Sequence, residues 1–122
     1  MNHSKVLLCG KHDALLQAMR QSSIQTIDIE QYANPAPARQ NIAMVVVLHT
    51  PPLTDGLPQV RHWQRESPDT PVVVATSDYT GATIRLLFKS GATDVLELPA
   101  DQERIQACYE AYLPQYKTTN SW

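Results

Sequence analysis

The chain has 122 residues, of which 43% are hydrophobic and 18% charged, a balance that fits one globular domain with its own core. A formal net charge of -2 with no block of Lys and Arg leaves no electrostatic footprint for nucleic acid or an anionic membrane. The N-terminal apolar run is too short for a signal peptide and no later segment could span a bilayer, while Cys9 and Cys108 lack metal-ligand spacing and read as reduced thiols of a cytosolic protein.

Val6-Leu7-Leu8-Cys9 is expected as a short buried strand, ended by Gly10-Lys11-His12. Asp13 is placed to cap a helix through about Gln21, with Leu15, Leu16 and Met19 on one face. Residues 24–29 (Ile-Gln-Thr-Ile-Asp-Ile) alternate, as a strand with one wet side does. Between Gln31 and Ile42, Pro35 and Pro37 bar a continuous helix, so this connection is expected to be irregular, with at most a shortened second helix.

Met44-Val45-Val46-Val47-Leu48 has no alternation and is too short for a helix. That pattern describes a strand buried on both faces, at the centre of a parallel sheet. The Pro, Thr, Asp and Gly residues of 51–56 form a loop at its carboxyl end, where open α/β sheets hold their ligands.

Pro58 suits the first turn of a further helix, with Thr54 or Asp55 as cap and with Val60 and Trp63 facing inward. Residues 67–71 are a turn cluster, and Val72-Val73-Val74-Ala75 is another buried strand. The helix that follows ends at Ser90 with Gly91 as its C′ residue. Its Ile84, Leu87 and Phe88 are expected to point inward and Leu86 outward. Asp94 to Glu97 form the last strand. Asp101 then caps a final helix with Ile105, Cys108, Tyr109 and Tyr112 as its buried stripe, stopped by Pro114. Strands alternating with helices in this way force a three-layer α/β/α sandwich around a five-stranded parallel sheet, with residues 1–114 as one domain and 115–122 as a tail or linker.

From Val6 to about Leu113 the chain resembles the receiver domains of two-component response regulators, the CheY-like form of the flavodoxin-like fold. PDTPVVVATS (Pro68 to Ser77) is similar to the family's fourth strand with its threonine switch. GATDVLELP (Gly91 to Pro99) resembles its Gly-Ala-x-Asp-Tyr-Leu-x-Lys-Pro segment, and PLTDG (Pro52 to Gly56) its Met-Pro-x-Met-Asp-Gly loop. The resemblance implies a cis peptide before Pro99.

An active receiver needs two acids after strand 1 and a phosphoacceptor Asp ending strand 3 to hold Mg²⁺. It also needs a Thr or Ser after strand 4 and a Lys after strand 5 for the phosphoryl group. Laid onto this chain, the acid pair falls on Gly10 and Lys11, the phosphoacceptor on Leu48, the threonine on Thr76 and the lysine on Leu98. Leu48 has no nucleophilic atom, and Gly10 and Lys11 offer a metal no carboxylate. The resemblance therefore implies a degenerate pseudo-receiver, with no enzymatic activity, cofactor or metal, in which Thr76 braces the strand–helix junction.

Two residues invite other readings. His49 is either a phosphoacceptor or, with His12, a metal ligand, or else a loop histidine open to solvent. The last is preferred, because two imidazoles without a placed carboxylate make a poor site. Lys11 is either an ammonium set against Asp13 or Asp78 in place of Mg²⁺, or a solvated side chain. Because receivers dimerise or dock partners through their fourth helix, fifth strand and fifth helix, the resemblance makes Arg85, Leu86, Lys89, Glu97, Arg104 and Ala107 interface candidates.

The expectation is a cytoplasmic, bacterial signalling module independent of phosphorylation. It would act on a protein partner or output domain, or as a homodimer, without touching nucleic acid or membrane. Alternatives are the N-terminal localisation domain of a pilus-assembly ATPase-type protein, phosphate acceptance by His49 or Asp55, and a small-ligand sensor on the same fold. The sensor is disfavoured because Gly10-Lys11-His12 is not a Gly-rich phosphate loop.

Overall fold

The computed structural model describes residues 4–22, 27–32, 42–50 and 56–113. In chain order these form β1 (Ser4–Cys9), α1 (Asp13–Ser22), β2 (Ile27–Tyr32), β3 (Ile42–His49), α2 (Gly56–Glu66), β4 (Val72–Thr76), α3 (Gly81–Ser90), β5 (Asp94–Glu97) and α4 (Gln102–Tyr112). The strands make a five-stranded sheet in the order β2-β1-β3-β4-β5, and every pairing is parallel.

β3 lies at the centre because its side chains are apolar on both faces. Met44, Val46 and Leu48 join Leu15 and Met19 of α1 and Ile105 and Tyr109 of α4 in one core cluster. Val45 and Val47, pointing the other way, join Val60 and Trp63 of α2 and Leu87 of α3 in a second. Two cores on opposite faces of one sheet are what three layers require. The Tyr109 hydroxyl ties the first cluster together by donating to the Met19 carbonyl at 2.9 Å.

Helix ends follow the sequence closely in the second half. The Asp101 carboxylate accepts from the Arg104 N–H at 2.9 Å. Gly91, at φ 115, closes α3: its N–H reaches Phe88 and the Ala92 N–H reaches Leu87, both at 3.1 Å, a Schellman arrangement. The Leu98–Pro99 peptide is cis.

Three local expectations change. α1 is capped by His12 rather than Asp13. The His12 Nδ1 accepts from the Leu15 N–H at 3.0 Å, and Asp13 is the first helical residue, where its charge suits the positive helix end. The second strand is described from Ile27 and runs past Ile29 to Tyr32, because the six residues of β1 offer a ladder of that length, Ser4 opposite Ile27 to Cys9 opposite Tyr32. Phe88 is exposed, not inward. Leu87 is the buried centre of α3, and at about 100° per residue Phe88 stands well round from it, over a four-residue edge strand too short to cover it.

The irregular connection or shortened helix expected within 31–42 falls, at 33–41, outside the described residues. So do the Thr54 and Asp55 caps and the tail at 115–122.

Candidate functional site

The carboxyl ends of β1, β3, β4 and β5 bring Gly10, Lys11, Leu48, Thr76 and Leu98 to one edge of the sheet. Leu48, 7% exposed, and Leu98, 9% exposed, belong to the same core cluster as Ala75 between them. Gly10 has φ 122, and a Cβ built on it would stand 2.7 Å from Leu48 Cδ1 and 2.9 Å from Leu48 Cβ. The leucine side chain thus lies directly over the glycine. Lys11 is exposed and, among the described residues, forms no ion pair with Asp13 or Asp78. Nor do the described residues bring three His, Cys, Asp or Glu side chains together for a metal ion.

Thr76 differs. It is the last residue of β4, fully buried, and its Oγ1 accepts from the Asp78 N–H at 3.0 Å. The Asp78 carboxylate accepts from the Thr83 hydroxyl at 2.6 Å. Thr80 caps α3, its Oγ1 accepting from the Thr83 N–H at 3.3 Å. These bonds fasten the end of β4 to the first turn of α3.

His49 is not a loop residue open to solvent. It ends β3 at 5% exposure, paired with Thr76, and its Nδ1 has no hydrogen-bond partner among the described residues. Alternation puts it on the Val45 and Val47 side, facing α2. Gly56 permits this approach: a Cβ there would lie 2.5 Å from the Leu48 carbonyl oxygen and 3.3 Å from His49 Cβ. A histidine so enclosed is poorly placed to attack a phosphoryl donor.

The interface candidates divide between two surfaces. α2 and α3 lie on the same face and run the same way, α2 anchored by Trp63 beside Val60 and α3 by Leu87. Gln64, one residue past its anchor, lies against the end of α3, where a Cβ on Gly91 would meet its side chain at 2.6 Å. The residue following each anchor therefore points toward the β5 edge, and the residue preceding it points the other way. On α3 this turns Leu86, 44% exposed, toward α2, and Phe88, 45% exposed, toward β5. Arg85 and Lys89 face solvent directly. Glu97 and Arg104 pair at 3.3 Å across β5 and α4, beside exposed Ala107. Phe88 therefore joins the β5–α4 surface. The spacing of one residue from Leu87 carries that information, but sequence alone does not reveal that the sheet ends beneath it.

At the far end of β5, the Tyr112 hydroxyl donates to Asp94 at 2.9 Å. Burial, then this bond and the Asp94 charge, push the Tyr112 hydroxyl up to about 12. Burial, then Asp94, likewise push the Cys108 thiol up to about 12, so it is inert at neutral pH.

No family model matches the sequence, and no curated protein matches it. Solved structures do. The BeF3-activated receiver domain of DrrB superposes with a TM-score of 0.77 at 18% identity, covering 91% of this chain and 97% of that one. The response regulator DrrB, an OmpR/PhoB homologue of Thermotoga maritima, gives 0.77 at 17% identity, over 93% of this chain and 54% of that one. A protein described as pilus assembly-related from Burkholderia pseudomallei gives 0.72 at 13% identity, over 88% and 87%. The fold is that of a receiver domain. No described helix is long and apolar enough to cross a membrane.

Proposed function

We propose that this receiver-fold chain is a signalling or regulatory module that works without phosphorylation, through protein contacts, in a bacterial two-component-type regulator of the cytoplasm. The observation that carries the reading is Leu48, seated over Gly10 in one core cluster with Leu98. A buried leucine at the phosphoacceptor position supplies no nucleophile, and neither it nor Gly10 supplies a metal ligand. Without a metal, the charge of a phosphoryl donor is not neutralised. A ligand shifts a conformational equilibrium only through differential affinity, so with phosphate excluded, occupancy by a partner or second copy is left as the signal.

The working surface in this reading lies along α3, β5 and α4, with Phe88, Glu97, Arg104 and Ala107 toward β5 and with Arg85, Leu86 and Lys89 on the rest of α3. An output domain or a homodimer would use it. Incubation with acetyl phosphate followed by intact-mass measurement should show no added phosphate, and millimolar Mg²⁺ with beryllofluoride should leave the amide spectrum of residues 10–13 and 48–50 unchanged. A mass gain of one phosphoryl group would sink the proposal. Sedimentation of wild type, Phe88→Glu and Leu86→Glu separates the two flanks of α3: loss of self-association in the first alone assigns the dimer to the β5 side.

A second reading, the localisation domain of a pilus-assembly protein, draws support from the similarity to the Burkholderia structure. It shares the fold and the absence of phosphate chemistry and differs only in the partner.

A further inference from the structure

The outer surface of α2 and α3 holds a concentration of charge of which the proposed function uses only the α3 half. Arg61 and Arg65 stand two residues before and after the buried anchor Trp63, and Arg85 and Lys89 stand two before and after Leu87. At about 100° per residue, all four lie on the side of their helix away from the sheet. All four are exposed, and among the described residues none forms an ion pair. α3 contains no acid, and α2 only Glu66 at its last position. The chain as a whole carries a net charge of -2, so positive charge is gathered on this face. Like charges one helical turn apart work against the helix that bears them, and among the described residues no ion pair relieves them.

The spacing suits a ligand. Residues four apart lie about 6 Å from each other along a helix, and packed helices lie about 10 Å apart, so the four cations share one small patch. Leu86, 44% exposed, lies on the α2 side of Arg85 and Lys89. We propose that this face docks an acidic, amphipathic segment of a partner protein, with Arg61, Arg65, Arg85 and Lys89 receiving its carboxylates and Leu86 an apolar side chain. A duplex presents a phosphate about every 1.7 Å and offers no apolar side chain to pair with Leu86. Neither phosphates nor lipid headgroups have a use for the leucine. The inference does not depend on whether the carboxyl edge accepts phosphate, so the two can fail separately.

The test uses the ¹⁵N-labelled chain and four probes: a short helical peptide with glutamates flanking a leucine stripe, a peptide of equal charge with its leucines replaced by glutamine, a short DNA duplex, and phosphatidylglycerol vesicles. The leucine peptide should shift the amides of residues 61–65 and 85–89 saturably, and more weakly as salt is raised. Arg61→Glu/Lys89→Glu should weaken it at least about tenfold. Arg61→Gln/Lys89→Gln should weaken it less, and the leucine-free peptide should bind wild type less tightly. Both variants change exposed residues only, and an unchanged wild-type spectral pattern checks their fold. No saturable shift at millimolar peptide, shifts mapping to α4 instead, or equal binding of the leucine-free peptide would overturn the proposal. Tighter binding of the duplex or the vesicles would also overturn it, in favour of a polyanion.

Discussion

Three neighbouring strands end at the candidate site, and the middle one differs from the two beside it. β3 and β5 end in the neighbourhood of leucines folded into the core, Leu48 and Leu98. β4 ends in a buried threonine whose hydroxyl is bonded. The difference follows from what each position is given to bond with. Beside Leu48 stand Gly10, without a side chain, and Ala75, so a polar group there would be buried without a partner. Thr76 has the Asp78 N–H within its own chain to donate to its hydroxyl oxygen. Polarity survives burial where the backbone supplies its partner.

The strongest test of that contrast puts charge back where the edge is apolar. Leu48→Asp should lower the unfolding free energy by about 3–5 kcal/mol, since it buries a carboxylate beside leucine. Adding Leu98→Lys should return about 1–2 kcal/mol if the two side chains meet across Ala75. Urea titrations of both single variants and the double measure the coupling, and strict additivity would mean that the leucines act separately.

An edge of leucines also contributes no titration of its own, so pH dependence must come from elsewhere. Cys108 is raised from its ordinary value of 9.0 to about 12 in the fold, by burial and then by Asp94. Between those values the unfolded chain has lost the thiol proton that the folded chain still holds. The contribution is therefore complete below about pH 9 and disappears as pH rises toward 12. Its slope approaches about 1.4 kcal/mol per pH unit. Unfolding followed from neutral to strongly alkaline pH should show a steeper loss in wild type than in Cys108→Ala. Parallel curves would remove the thiol from the account.

At the middle strand, Thr76→Val keeps the shape and leaves the Asp78 N–H unpaired, for about 1–2 kcal/mol. Thr76→Ser should recover most of it. Hydrogen exchange at Asp78 and the first turn of α3 is the local readout, and it should accelerate in the valine variant only.

Much of this was legible in the sequence, for reasons that differ by position. Met44 to Leu48 announced a central strand because no other element buries five consecutive apolar residues. Gly91 and Asp101 announced helix ends because their backbone and side-chain chemistry is local. Leu48 and Leu98 were placed by resemblance, yet their meaning, a plug over Gly10, needed the φ of that glycine and the distance to it. Phe88 and His49 differ from the sequence expectation for one common reason. Periodicity gives the direction of a side chain along its own element but not what neighbouring element lies there. Phe88 overhangs an edge strand, whereas His49 is enclosed where α2 meets β3.

His12 offers the smallest effect and a check on the apolar side of the contrast, because it is the polar residue beside Gly10 and Lys11 that has a structural task. A helix leaves its first N–H groups without intrahelical partners, and an N-cap side chain satisfies one of them. Asp and Asn do so commonly, whereas here the imidazole Nδ1 takes the Leu15 N–H at 3.0 Å. His12→Ala should lower stability by about 1 kcal/mol, a shift in Tm of about 4 °C. His12→Asn should match or exceed wild type, because its shorter side chain performs the same task with less ordering. His12→Asp should exceed it further, by adding a negative charge at the positive end of α1. The order Ala, wild type, Asn, Asp in thermal melts identifies a cap. An alanine variant that melts with wild type would mean that the bond to Leu15 contributes nothing, and that the polar side chains nearest Gly10 are as free of structural duty as Lys11.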